Sequence, residues 1–171
     1  AGIAQYFRDA RIGPIYEGTN GIQAIDVIIR RTARDRGAWL RTLIKKIEQT
    51  ANDPCAFSPE IRAWLAEATA ALTEAIDWIV DQVQTNVNAV LFVAADYAAL
   101  LGWIISGWCL IRQYRPSQNF PDNPLSEKIL VYYLCESKTR IREATMTVTE
   151  GNTRWAYAAN NLPFDTTMHT G

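Results

Sequence analysis

The sequence predicts an all-α fold: an antiparallel helical bundle of four long helices preceded by a short N-terminal helix. Three observations predict it. The prolines stand at 14, 54, 59, 116, 121, 124 and 163, leaving proline-free stretches at 15–53, 60–115 and 125–162. Proline lacks an N–H and clashes with the preceding turn, so long helices belong in such stretches. Within them apolar residues recur at helical spacing, and no run alternates long enough to make a strand. Finally, 49% of the 171 residues are hydrophobic and 20% charged. That supplies a real core and excludes disorder as a description of the whole chain.

The first window, 22–50, carries Ile22, Ile25, Ile28 with Ile29, Ala33, Trp39 with Leu40, Leu43 with Ile44, and Ile47. Arg36 and Gly37 interrupt it. The second, 59–84, opens with Ser58-Pro59-Glu60: an N-cap, a first-turn proline and a favourable negative charge. Its stripe is Ile61, Leu65, Ala68, Leu72, Ile76, Ile79 and Val83. The polar cluster Gln84-Thr85-Asn86 separates it from 87–114, the most apolar helix. From Ala89 to Ile111 only Asp96 is charged there, enough length to span a bilayer. The amphipathic flanking helices and a mean hydropathy of −0.10 favour a central bundle helix buried on most sides. Gly102 and Gly107 are expected to admit close helix packing. The fourth window, 124–150, starts at Asn123-Pro124 and carries Leu125, Ile129, Tyr132 with Tyr133, Ile141 and Val148. An irregular tail follows Asn161. The loop at 51–58 is the natural boundary, dividing residues 1–50 from 51–171.

Several function classes are excluded early. Lys and Arg number 17 against 18 Asp and Glu, net −1, unlike the basic excess of a dedicated nucleic-acid binder. The single histidine, His169, lies two residues from the C-terminus, so triads and zinc sites built on histidine have nothing to use. Cys55, Cys109 and Cys135 form an odd set with no CxxC pair. Reduced thiols in a cytoplasmic protein are expected, not a disulfide framework. The chain opens Ala-Gly-Ile-Ala-Gln with no basic-then-apolar leader, which is the expectation for a piece of something longer without a signal peptide.

One stretch can carry chemistry: Arg11-Ile12-Gly13-Pro14-Ile15-Tyr16-Glu17-Gly18-Thr19-Asn20-Gly21-Ile22-Gln23. It is a short loop that delivers a glutamate to the start of a helix. Gly18 frees the backbone to turn. Thr19 or Asn20 can cap the helix, and Asn20 with Gln23 has capping-box spacing. The N–H groups of residues 21–23 would then attract an anion or phosphate. Glu17 is a candidate general base whose pKa rises if a ligand excludes water. The alternative is that Glu17 only favours the positive end of the helix.

Ala4-Gln5-Tyr6-Phe7-Arg8-Asp9-Ala10-Arg11-Ile12, followed by Ile15-Tyr16-Glu17-Gly18-Thr19-Asn20-Gly21-Ile22-Gln23, closely resembles the C-terminal catalytic segment of acyl-CoA dehydrogenases. The resemblance covers residues 2–31. Leu91-Phe92 and Gly102-Trp103 resemble the additional helical domain of one branch, which includes enzymes similar to 3-methylmercaptopropionyl-CoA dehydrogenase. The resemblance implies an FAD-dependent oxidation of acyl-CoA to trans-2-enoyl-CoA, with the α-proton taken by a glutamate and the β-hydride passing to the flavin. Glu17 stands at the position of that base, and its backbone N–H would help hold the thioester carbonyl. Gly18 would lie beside the substrate. Thr19, Asn20, Gly21 and Gln23 match positions that approach FAD.

It further implies an acyl-CoA substrate, an electron-transfer acceptor for the reduced flavin and a homo-oligomer. No metal, nucleic acid or membrane span is expected. Residues 1–50 correspond to the last helices of the flavin domain and 51–171 to a C-terminal helical domain. The family's N-terminal helical and central β-domains are not among these residues, so the fragment is expected to be inactive alone. The basic run Arg30, Arg31, Arg34, Arg36, Arg41, Lys45 and Lys46 fits a solvated face or subunit contact better than CoA phosphates. The rival reading is a non-enzymatic helical assembly or partner-binding module. An intact Tyr16-Glu17-Gly18-Thr19 favours the enzyme, because a pure scaffold has no chemical reason to keep it.

Overall fold

The computed structural model describes residues 3–11, 19–52, 57–114 and 124–161. In chain order these form α1 (Ile3–Ala10) and α2 (Asn20–Asp26), which runs directly into a π-helical segment, Val27–Ala33. Then come α3 (Ala38–Ala51), α4 (Pro59–Gln82), α5 (Val87–Phe92), α6 (Ala94–Tyr114), α7 (Pro124–Thr149) and α8 (Gly151–Asn161). No strand occurs among the described residues, so the chain is all-α.

The helix α4 organises the core. Ser58 accepts a hydrogen bond from the Ile61 N–H, and Pro59 occupies the first turn. The Ser58 hydroxyl and a backbone N–H also hold the exposed Glu60 carboxyl below its ordinary pKa. The expected stripe is buried at Ile61, Leu65, Ala68, Leu72, Ile76 and Ile79 and half-buried at Val83, and Trp64 and Ala75 widen it. Partners press on it from several sides. Gly107 of α6 lies against the Trp64 ring so closely that any Cβ there would collide with it. On α7, Ser137 accepts a 3.0 Å hydrogen bond from the Trp64 indole N–H. Glu67 pairs with Lys138 and Arg142, at 3.7 and 3.3 Å. Because 64 meets 137 and 67 meets 142, α4 and α7 run in the same sense.

The longest shared contact is between α6 and α7. There the Trp103 and Tyr133 rings sit 5.7 Å apart, and the Tyr133 hydroxyl donates to the Trp103 carbonyl. On the other flank α3 is tied to α4 by Arg41 and Asp77, and to α6 by Trp108 donating to Thr50.

The elements depart from sequence expectation at identifiable places. The first window is not one helix. Arg36 and Gly37 take left-handed backbone, φ 55° and 75°. The Asp35 carboxylate then accepts from the Gly37 and Trp39 N–H groups, at 2.9 and 3.0 Å, which starts α3 afresh. Of the expected stripe, Ile28 is buried while Ile22, Ile25 and Trp39 are exposed, and Ala24 and Thr32, which the stripe did not include, face inward. The third window breaks at Val93, between α5 and α6. The fourth ends at Thr149, and α8 is a separate helix that proline spacing did not reveal, because Glu150-Gly151 makes the break without a proline. On α7, Ile129 and Tyr132 point outward while Leu130 and Leu134 are buried.

The apolar helix α6 is not enclosed on most sides. It is long and apolar enough to cross a membrane, and 39% of its apolar window is buried. Ala95, Ala99, Gly102, Ser106 and Cys109 form an open line along it. Gly102 therefore admits no close packing: a Cβ there would meet nothing within 4 Å. The tail after Asn161 and residues 53–56 of the 51–58 loop lie outside the described residues.

Candidate functional site

Of the residues singled out from the sequence, Glu17 and Gly18 lie outside the described residues. The other four, Thr19, Asn20, Gly21 and Gln23, stand together at the start of α2, all exposed. Thr19 is the N-cap, with φ −127° and ψ 10°, and makes no side-chain capping hydrogen bond. Its carbonyl accepts the Gln23 N–H at 2.7 Å. Asn20 is thus the first helical residue, so the anticipated Asn20–Gln23 capping box does not form: a box needs its first member at the cap itself. The first-turn N–H groups are left without a side-chain acceptor from Thr19. A Cβ at Gly21 would meet nothing within 4 Å.

Two things position this helix start. Ala24 is the only residue of α2 that is buried, and α2 lies against α6. Immediately downstream, Thr32 bonds through its hydroxyl to the Tyr97 hydroxyl of α6 at 3.0 Å and to the Val27 carbonyl at 3.1 Å. Both side chains are fully buried. Burial pushes the Tyr97 phenol well above the ordinary tyrosine range; the Thr32 hydrogen bond opposes this, and the nearby Asp35 charge adds to it. Sequence reading missed the pair, because threonine and tyrosine 65 positions apart leave no local signal.

Upstream, α1 carries Gln5 as a bridge: its amide donates to Asp9 at 2.8 Å and its carbonyl accepts from Arg8 at 2.8 Å. Arg8 and Asp9 are linked through that residue. In the basic run Arg30 bonds Asp26 at 2.9 Å, Arg31 lies 3.7 Å from the same carboxylate, and Lys45 and Lys46 are exposed on α3. These are the features of a solvated face. Behind the π-helical segment a surface groove of about 700 Å³ brings Arg30 and Arg31 beside Trp39, Leu101 and Ile105. Among the described residues no His, Cys, Asp and Glu cluster could hold a metal ion. Cys109 and Cys135 are free and exposed.

Residues 43–122 match the family model described as acetyl-CoA dehydrogenase C-terminal like. The chain is similar to the C-terminal part of acyl-CoA dehydrogenases. It is 36% identical over 112 residues to 3-methylmercaptopropionyl-CoA dehydrogenase of Ruegeria pomeroyi, covering 64% of this chain and 19% of that protein. It is 32% identical over 120 residues to the broad-specificity linear acyl-CoA dehydrogenase FadE5 of Mycobacterium tuberculosis, covering 65% of this chain and 20% of that one. The chain thus spans about one fifth of the length of these curated relatives. No solved structure matches it significantly. The family match falls on most of α3 and on α4, α5 and α6, and not on the Tyr16-Glu17-Gly18-Thr19 segment.

Proposed function

We propose that these residues are the C-terminal part of an FAD-dependent acyl-CoA dehydrogenase that forms 2-enoyl-CoA, with Glu17 as the base. One observation carries the reading. An intact Tyr16-Glu17-Gly18-Thr19-Asn20-Gly21 runs into the exposed, uncapped start of α2, at the head of a chain whose residues 43–122 match the dehydrogenase C-terminal family. Residues 1–50 close the flavin domain, and 51–171 form the appended helical domain.

The exposed polar edge at Thr19, Asn20 and Gln23, with open space around Gly21, fits one side of FAD. Those three residues would hold it by hydrogen bonds, and Gly21 would let backbone approach. FAD, when bound, would supply the acceptor for the β-hydride. The chain's own residues do the acid–base work. The Glu17 carboxylate takes the α-proton, which is efficient only if bound substrate excludes water and lifts its pKa toward neutrality. The Glu17 N–H donates to the thioester carbonyl and stabilises the charge that develops there. Gly18 lies against the acyl chain. An electron-transfer acceptor, a homo-oligomeric assembly and a cytoplasmic setting complete the proposal.

The decisive variant is Glu17→Gln in the full-length protein. The amide keeps shape and backbone N–H but cannot take a proton. Flavin and acyl-CoA binding should persist while dehydrogenation falls by about 10²–10⁴-fold. Anaerobic mixing that follows flavin bleaching and α-hydrogen exchange measures this. Unchanged exchange removes Glu17 from the reaction and favours a helical module without activity. The 171-residue chain alone should neither retain flavin through gel filtration nor oxidise acyl-CoA, because a helix start cannot bury an isoalloxazine.

A further inference from the structure

The π-helical segment Val27–Ala33 sits between the start of α2 and the bundle, and its geometry bears on how that start is aimed. We propose that Thr32 and Tyr97 are positioning residues: the hydrogen bond between their buried hydroxyls holds the π turn and so sets which face of α2 is presented to solvent. This rests on the role proposed above for residues 17–23, since Thr19, Asn20, Gly21 and Gln23 are what the turn aims.

The argument begins with register. A π turn spans one residue more than an α turn. Successive α-helical residues are about 100° apart, so gaining or losing one residue in a turn rotates everything upstream by about that angle. Five-residue bonds run through the segment and just beyond it: Arg34 N–H to the Ile29 carbonyl at 3.0 Å, and Gly37 N–H to the Thr32 carbonyl at 2.8 Å. The Thr32 hydroxyl also spans five residues back to Val27 while touching Tyr97 on α6. It therefore binds the wide turn to a fixed helix.

The downstream end is locked. Asp35 holds the Gly37 and Trp39 N–H groups, Gly37 is left-handed and seated against Ile76, and Leu40 is buried. A relaxation of the π turn can then be expressed only by rotating α2.

Local preference does not explain the observed register. It buries Ala24, the smallest apolar side chain of α2, and leaves Ile22 and Ile25 exposed. Removing one residue from the turn would carry Ile25 toward the place Ala24 holds and bury more apolar surface. A π segment is also intrinsically rare. A tertiary contact must hold the less favoured register, and the Thr32–Tyr97 bond is the one that joins this segment to α6 through buried hydroxyls.

The test uses the 171-residue chain with isoleucine methyl groups labelled for NMR, a soluble paramagnetic agent, and backbone contacts across Val27–Ala33. In the native chain the Ile25 methyl is strongly relaxed, Ile28 is shielded, and contacts between residues five apart are present. Tyr97→Phe and Thr32→Val should lose those contacts and shield Ile25, whereas Thr32→Ser, which keeps the hydroxyl, should retain the native pattern. If Thr32→Val does not fold, Tyr97→Phe, whose ring stays packed, decides the question. Variants that lose stability but keep Ile25 exposed and the five-residue contacts overturn the proposal, as does a Thr32→Ser chain that behaves like Thr32→Val. No activity is measured, so this outcome is separate from that of Glu17→Gln.

Discussion

The N-terminal arm, α1 with α2, and the central helix α4 both carry apolar residues at helical spacing, yet they use them in opposite ways. In α4 the stripe from Ile61 to Ile79 is buried. In the arm Phe7 and Ile22 are 68% and 66% exposed, Ile25 is exposed, and Ala24 alone among the residues of α2 is buried. The difference teaches that periodicity specifies a helix and a preferred face, not what covers that face. Helix α4 has α3, α6 and α7 against it; α2 has α6 and the segment that follows it. The division also separates stability from chemistry. Residues that hold the fold lie in the bundle, and residues proposed to hold a cofactor and substrate lie at its edge.

The sharpest way to break this comparison is Leu72→Ala in α4. The side chain is fully buried, so its truncation should cost about 2–5 kcal/mol in urea or thermal unfolding. A loss below about 1 kcal/mol would mean that the bundle yields as freely as the arm, contrary to the packing density of a protein core.

A smaller effect follows from Tyr97, which anchors the arm to the bundle. Its folded pKa lies above the unfolded value, so the neutral phenol is favoured in the native state. That contribution is present below about pH 10, where unfolded tyrosine is also neutral, and is lost as pH rises. Above about pH 10 the Tyr97 share of the stability slope should approach about 1.4 kcal/mol per pH unit. Unfolding of the native chain and of Tyr97→Phe between about pH 9 and about pH 11, a unit either side of the free tyrosine value, tests it. Equal slopes would show that this phenol is not kept neutral by burial.

The smallest change should come from Ile22→Ser in the arm. An exposed substitution of this kind shifts stability by about 0.5 kcal/mol or less. A cost above about 2 kcal/mol would place Ile22 in a packed environment and erase the contrast with α4.

Much of the fold was legible in the sequence because its causes are local. Proline positions and helical periodicity marked α4 with its Ser58-Pro59-Glu60 start, and the polar run Gln84-Thr85-Asn86 marked its end. Arg36 and Gly37 interrupt the first window's stripe in the sequence, but that Asp35 starts a new helix there shows only in the structure. The motif from Tyr16 to Gln23 was also legible, as a linear string whose resemblance does not depend on packing.

What tertiary structure alone decided is the orientation of faces. Ile25 outside and Ala24 inside, Ile129 outside and Leu130 inside, Gly107 against Trp64 and Gly102 in open space are choices between neighbours of equal local fitness. The register of α2 is set by a hydroxyl pair 65 positions apart, and α8 is separated from α7 at Gly151, which packs against Trp78. Hydrophobic periodicity is a property of a segment read alone, whereas burial is a property of two surfaces that meet. The sequence therefore determined which segments became helices and which short motif could carry chemistry, and the packing of distant residues determined which way each helix turned.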